Sequence, residues 1–342
     1  MTNLHKCAII KIMNNANFVI FLIILGVFQI LMGANDGGVL LGSIISSNVV
    51  HPAFGVLLLF LSLTVAPFLF GTEVVKTIGT KIIPITEITI PMLYGTIVAT
   101  MIWVVIAQRI KYPVSISYTF VGALIGSTIA RGVHTKINIT EVSKVIMGLI
   151  ASIFIGFAVS FLLTQIMNML LRYLTTTVSK TFKYLQILSS ILLVMGYGAN
   201  DAEKTLSLFY TASIVSGTNI MPSPKNLWII MLLSFLFIVG VLFFGANSLL
   251  TAGFRLMKSN PKETFLAQTV VSFTVIGFAE MGLPISSTET LNMSVVGIGV
   301  AEKPYAVKYN VVKNLILTWL VTVPVSIILS WGISKIFITM IK

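Results

Sequence analysis

Three observations predict an all-α, polytopic membrane protein built from two repeats. Hydrophobic residues make up 56% of the chain and charged residues only 9%, against about 25% charged in soluble domains. Several uncharged aliphatic runs are long enough to cross about 30 Å of hydrocarbon, and their continuity marks them as helices rather than alternating barrel strands. The phrase Gly33-Ala34-Asn35-Asp36 returns 165 residues later as Gly198-Ala199-Asn200-Asp201. Recurrence at half-chain spacing points to internal duplication.

In chain order, Lys6 and Lys11 precede an apolar run that leads straight into the first Asn-Asp pair. With no small-residue cleavage signal, this run is expected to be a retained first helix. Residues 17–50 as one straight helix would measure about 50 Å, too long for the bilayer core, so a break is expected at Gly33–Gly38. Spans follow over 52–70 and 88–107, separated by the polar stretch Gly71–Gly79 and a turn at Pro84. Pro113-Val114-Ser115-Ile116-Ser117-Tyr118 then opens a run rich in small residues (Gly122, Ala123, Gly126, Ser127), suited to a short hairpin packed closely among other helices. Residues 131–144 read as a polar loop before a long helix that ends near Leu171.

The second half repeats this order: a broken helix over 184–216, a loop with Pro222 and Pro224, a span from Leu227, a glycine-bounded stretch at 245–253, and a further span. Pro284-Ile285-Ser286-Ser287-Thr288-Glu289 then opens the second hairpin, and Pro324 is an expected kink in the last helix. The expected organisation is a first transmembrane repeat over 1–171, a polar linker over 172–183 and a second transmembrane repeat over 184–342. Counted with both hairpins as re-entrant, each half makes an even number of crossings. Inverted repeats need one crossing more or fewer per half, and the broken helix is where it would hide.

Each Pro-x-Ser motif sets a proline just before a helix start, where its missing N–H costs nothing. Ser115 and Ser117, and Ser286, Ser287 and Thr288, then lie beside unpaired backbone N–H groups, a constellation suited to an anion. Capping or helix-to-helix bonding is the structural alternative for these hydroxyls. Asp36 and Asp201 cannot both stand bare beside a bound oxyanion, because like charges repel strongly in low dielectric. Either a proton or a hard cation such as sodium, held with Asn35 and Asn200, must be shared there. Asp36 and Asp201 are the candidate sodium ligands; their alternative role is helix capping. Secondary candidates are Glu289, expected to line the site; Glu73, in a helix-end pair with Lys76 or a gate; and Lys204, meeting an anion or neutralising Asp201 or Glu203.

The net charge of +12 fits Lys and Arg flanking helix ends, where they set topology and meet anionic headgroups, or attraction of an anionic substrate. Basic residues are scattered between spans, which speaks against nucleic acid. The single cysteine, Cys7, excludes an internal disulfide framework. No nucleophile–base pair or metal cluster lies at membrane depth, so an enzyme and a resident cofactor are not expected.

The doubled Gly-Ala-Asn-Asp phrase and the two Pro-x-Ser hairpins resemble the inorganic phosphate transporter (PiT) family over about residues 20–335. The run Gly198-Ala199-Asn200-Asp201-Ala202-Glu203-Lys204-Thr205 is similar to its bacterial second-half motif. That resemblance implies two inverted repeats, an oxyanion site between two hairpins, symport of inorganic phosphate with sodium or protons across the cell membrane, and a homodimer. Departures are Ile116 and Tyr118 in the first hairpin, Glu289 where the family has histidine, and Gly37-Gly38-Val39, which lacks a second asparagine. Ser286-Ser287-Thr288-Glu289 and Glu73-Val74-Val75-Lys76-Thr77-Ile78 are similar to a sulfate-carrying branch, which makes a sulfate permease the alternative. An anion channel is a further one, set against the paired carboxylates that suit stoichiometric coupling.

Overall fold

The computed structural model describes residues 16–109, 114–171, 177–218, 220, 226–246, 248 and 260–341. Among them the regular structure is entirely helical. Helix α1 (Ala16–Met32) passes through the widened turn Gly33–Gly37 into α2 (Gly38–Ile45). After α3 (Pro52–Leu69) come the single turn α4 (Glu73–Lys76), α5 (Ile90–Arg109), α6 (Ile116–Arg131) and α7 (Ile139–Leu170). The second half runs α8 (Thr177–Val215), α9 (Leu227–Phe244), α10 (Pro261–Glu280), α11 (Ser287–Glu302) and α12 (Tyr309–Met340). Seven helical stretches among the described residues are long and apolar enough to cross a membrane. Helices α6 and α11, 16 residues each, are about 24 Å long and too short to do so.

Local sequence explains the ends. Pro52 sits at the first position of α3 behind His51, whose ring accepts from the Ala53 N–H at 3.2 Å. Asn138 and Asn260 cap α7 and α10, the latter in a reciprocal capping box with Glu263. Gly132 closes α6 in the left-handed conformation (φ 85°). Pro84 leads into a 3₁₀ turn (Ile85–Glu87), as a turn there requires. Pro324 lies inside α12.

The expected helix breaks take another form. At the first Asn-Asp pair the chain stays helical, but the Gly38 N–H reaches the Gly33 carbonyl, one residue further than in an α-helix. This single π turn re-aims Asn35 and Asp36 without unwinding the backbone. Gly37-Gly38 makes the deformation cheap. The second copy shows no break, and α8 runs unbroken through Gly198–Asp201. Ala202, Glu203 and Lys204 are strong helix formers, and nothing in that copy favours a bulge. Helix α8 also begins at Thr177, inside the stretch 172–183 read as a linker. Pro113, the 221–225 loop and Asn247 lie outside the described residues.

The two halves interlock reciprocally. Helix α9 packs on α1 and its π turn, and α3 packs on α8; α6 lies along α12, and α11 along α7. Each contact has its counterpart, as two repeats sharing one plan require. The first glycine of each Gly-Ala-Asn-Asp sits at such a crossing. A Cβ on Gly33 would collide with the Phe237 carbonyl, and one on Gly198 would stand 2.6 Å from Ala66 Cβ and 2.9 Å from the Ser62 carbonyl. These glycines are set by the close approach of two backbones rather than by flexibility.

Gly33→Ala and Gly198→Ala should each lower the unfolding temperature of the purified protein, by overpacking worth about 1–3 kcal/mol. Gly277→Ala, where an added Cβ meets nothing within 4 Å, should leave it unchanged or raise it. Equal effects at all three positions in a thermal-denaturation series would refute the crossing argument.

Candidate functional site

The two hairpins, α5–α6 and α10–α11, bring two helix N-termini together inside the protein. Ser115 caps α6, its Oγ accepting from the Tyr118 N–H at 3.4 Å, and Ser286 caps α11 in the same way from the Glu289 N–H at 3.4 Å. The Ser115 hydroxyl donates to Ser286 Oγ at 3.0 Å, so the two caps touch. Ser117 Oγ donates to the Ile285 carbonyl at 2.9 Å, and Thr288 Oγ1 lies 3.5 Å from Ser286 Oγ. All five predicted hydroxyls are buried. The first N–H groups of each helix have no intrahelical acceptor, and the positive ends of both dipoles converge here.

Each Asn-Asp pair is pinned to a hairpin. Asn200 Nδ2 donates to the Leu283 carbonyl at 3.0 Å while its Oδ1 accepts from the Ile285 N–H at 3.0 Å. Asn35 Nδ2 reaches the Val114 carbonyl at 3.3 Å and Asp36 Oδ1 at 2.8 Å, and its Oδ1 accepts from Gln108 Nε2 at 3.1 Å. Asp36 Oδ2 accepts from the Tyr197 hydroxyl at 3.3 Å. No ion pair among the described residues reaches Asp36.

Asp201 is different. Its carboxylate pairs with the Lys204 ammonium and accepts from the Ser287 hydroxyl. Lys204 Nζ also donates to Ser117 Oγ at 2.6 Å and to the Ile285 carbonyl at 2.7 Å. The lysine is 1% exposed and the aspartate 2%. Here Lys204 neutralises Asp201 rather than Glu203. Glu203 faces away from this pair and accepts from the Val75 N–H at 3.3 Å, tying α8 to the α4 turn.

Glu289 is buried in the first turn of α11, with the Trp319 and Asn292 side chains beside its carboxyl. Glu73 is not brought to this cluster: it pairs with Lys76 and, at 3.8 Å, with Lys81 on a solvent-accessible edge. The hydrogen bond from Lys76 holds the Glu73 carboxyl below its ordinary pKa, against the opposing effect of desolvation. Two contributors were not singled out from sequence. Tyr197 immediately precedes Gly198 and Gln108 precedes Arg109, so both are polar groups next to features already marked, and adjacency was the signal for them.

Short helices that stop inside the protein, capped by serines and facing buried Asn-Asp pairs, belong to a polytopic membrane transport protein. The chain is a member of the phosphate transporter family, whose model matches residues 32–330. A "Probable low-affinity inorganic phosphate transporter" of Rhizobium meliloti is 27% identical over 304 residues, covering 89% of this chain and 91% of that one. A protein of the same description from Bacillus subtilis is 25% identical over 303 residues, covering 87% and 90%. The solved structure of a sodium-dependent phosphate transporter has a TM-score of 0.80 at 20% identity, over 94% of this chain and 100% of that one, a likeness of fold.

Asp201→Asn should destabilise the protein by about 3–5 kcal/mol, because it leaves the Lys204 charge buried without a partner. Adding Lys204→Met to it should recover most of that loss. Calorimetric or thermal-shift measurement of both single variants and the double variant gives the coupling; additive effects would show that the pair is not a unit.

Proposed function

We propose that the chain is a secondary symporter that moves inorganic phosphate across the cell membrane together with sodium or protons. The observation that carries this reading is the meeting of two capped helix N-termini on a buried lysine, flanked by two Asn-Asp pairs. It offers hydroxyl and backbone N–H donors to an oxyanion, and carboxylate and amide oxygens to a cation, in one place.

In this reading Ser115, Ser117, Ser286, Ser287 and Thr288 rotate their hydroxyls from internal acceptors towards phosphate oxygens. The internal acceptors are Ser286, Ile285 and Asp201. Asp36 with Asn35 takes the coupling cation or proton, since that carboxylate forms no ion pair among the described residues. The names of the relatives support phosphate over sulfate. An ionised Glu289 adds to this: it would accept the O–H of hydrogen phosphate and repel sulfate, which has none to give. Paired carboxylates beside the anion donors favour coupled transport over an anion channel.

Labelled phosphate uptake into proteoliposomes, with sodium and proton gradients imposed in turn, tests the reading. Accumulation against the phosphate gradient is expected with one of the two, and equilibration without accumulation would identify a channel instead. Ser115→Ala and Ser286→Ala should each weaken phosphate binding about tenfold to a hundredfold, the loss of one donor to a charged ligand. Glu289→Gln should make sulfate a better competitor of phosphate uptake; unchanged discrimination would remove Glu289 from the specificity argument.

A further inference from the structure

The repeat makes the two Asn-Asp neighbourhoods comparable position by position. Asp201 corresponds to Asp36, Ile285 to Val114, and Ser117 of one hairpin to Thr288 of the other. The three oxygens that hold the Lys204 ammonium are Asp201 Oδ1, Ser117 Oγ and the Ile285 carbonyl. Their counterparts are the Asp36 carboxylate, the Thr288 hydroxyl and the Val114 carbonyl. Lys204 itself corresponds to Val39, which has no charge to offer. On that side the Asp36 and Val114 oxygens converge on the neutral amide nitrogen of Asn35, at 2.8 and 3.3 Å.

A carboxylate, a hydroxyl and a backbone carbonyl around one positive centre is the oxygen set that a hard cation takes. In the second half that centre is a side chain of the protein. Sodium cannot join it, since Nζ already occupies the point where the three oxygens meet, and a second positive charge there would be repelled in low dielectric. The expectation that Asp201 is a sodium ligand therefore does not fit the residues around it.

We propose that Lys204 is a tethered cation that permanently fills the second-half cation position, so that only the Asp36 position exchanges an ion with solution. The inference rests on the symport reading and deepens it: each transport cycle moves at most one ion bound at the Asn-Asp pairs. It also gives the substrate anion a fixed positive charge beside the Ser117 hydroxyl, present whether or not the coupling ion is bound.

Equilibrium binding of radioactive sodium to the purified full-length chain tests it. Wild type should bind no more than one sodium per chain at these positions, and Lys204→Ala, which vacates the oxygen set, should bind one more than wild type. Sodium, but not choline, should also raise the unfolding temperature of Lys204→Ala. Two sodium ions per wild-type chain, or no gain in a folded Lys204→Ala, would overturn the proposal. If Lys204→Ala does not fold, the wild-type count decides alone: none or one supports the tethered cation and two refutes it. Phosphate uptake by wild type is measured separately, and its absence would sink the symport reading while the sodium counts kept their meaning.

Discussion

A charge that has left water must be met by another charge or by hydrogen bonds, and the interior of this protein is arranged around one such meeting. The Asp201–Lys204 pair lies on a single helix, yet its remaining bonds run to both hairpins: Ser287 and Ile285 on one, Ser117 on the other. An ion pair of this kind is poor at stabilising a fold in its own right, because desolvation offsets much of its attraction. It is strong at specifying one, since any arrangement that parts the hairpins from α8 leaves a buried charge unmet. The touching Ser115 and Ser286 caps depend on that placement.

The asymmetry between the halves follows from three paired positions. After Asp36 come Gly37, Gly38 and Val39; after Asp201 come Ala202, Glu203 and Lys204. The glycines permit a π turn, and Val39 leaves the carboxylate to amide and hydroxyl donors. The helix-forming trio keeps α8 regular, and at i+3 its lysine falls directly beside the aspartate. Backbone geometry and electrostatics therefore differ together, from the same substitutions.

Much of this was legible in the sequence because polar residues stand out against an apolar background. The Asn-Asp pairs, the five hydroxyls and the hairpin starts could be read directly, as could the repeated order of elements. What misled was helix length. A straight 34-residue helix overshoots the bilayer core, but a tilted or overhanging helix need not break, and α8 runs to 39 residues. Assuming a break at 198–201 removed the regular spacing that would have paired Lys204 with Asp201. The cross-half packing was illegible for a different reason. Gly33 and Gly198 look like flexible points until the partner backbones, Phe237 and Ser62, are known, and those lie in the opposite half of the chain.

The reciprocal packing of α6 on α12 and α11 on α7 has a consequence for how the molecule is made. When the first half has been synthesised, the flank of α6 that ends on α12 and the flank of α7 that ends on α11 have no protein to cover them. Ser115, Ser117 and Asp36 have likewise not yet met Ser286, Ile285 and Tyr197 across the halves. The nascent first repeat must wait in the bilayer with these polar groups turned to lipid, to translocation machinery or to one another. With its main contacts made across the halves, neither repeat is complete alone, and assembly ends only with the last helix.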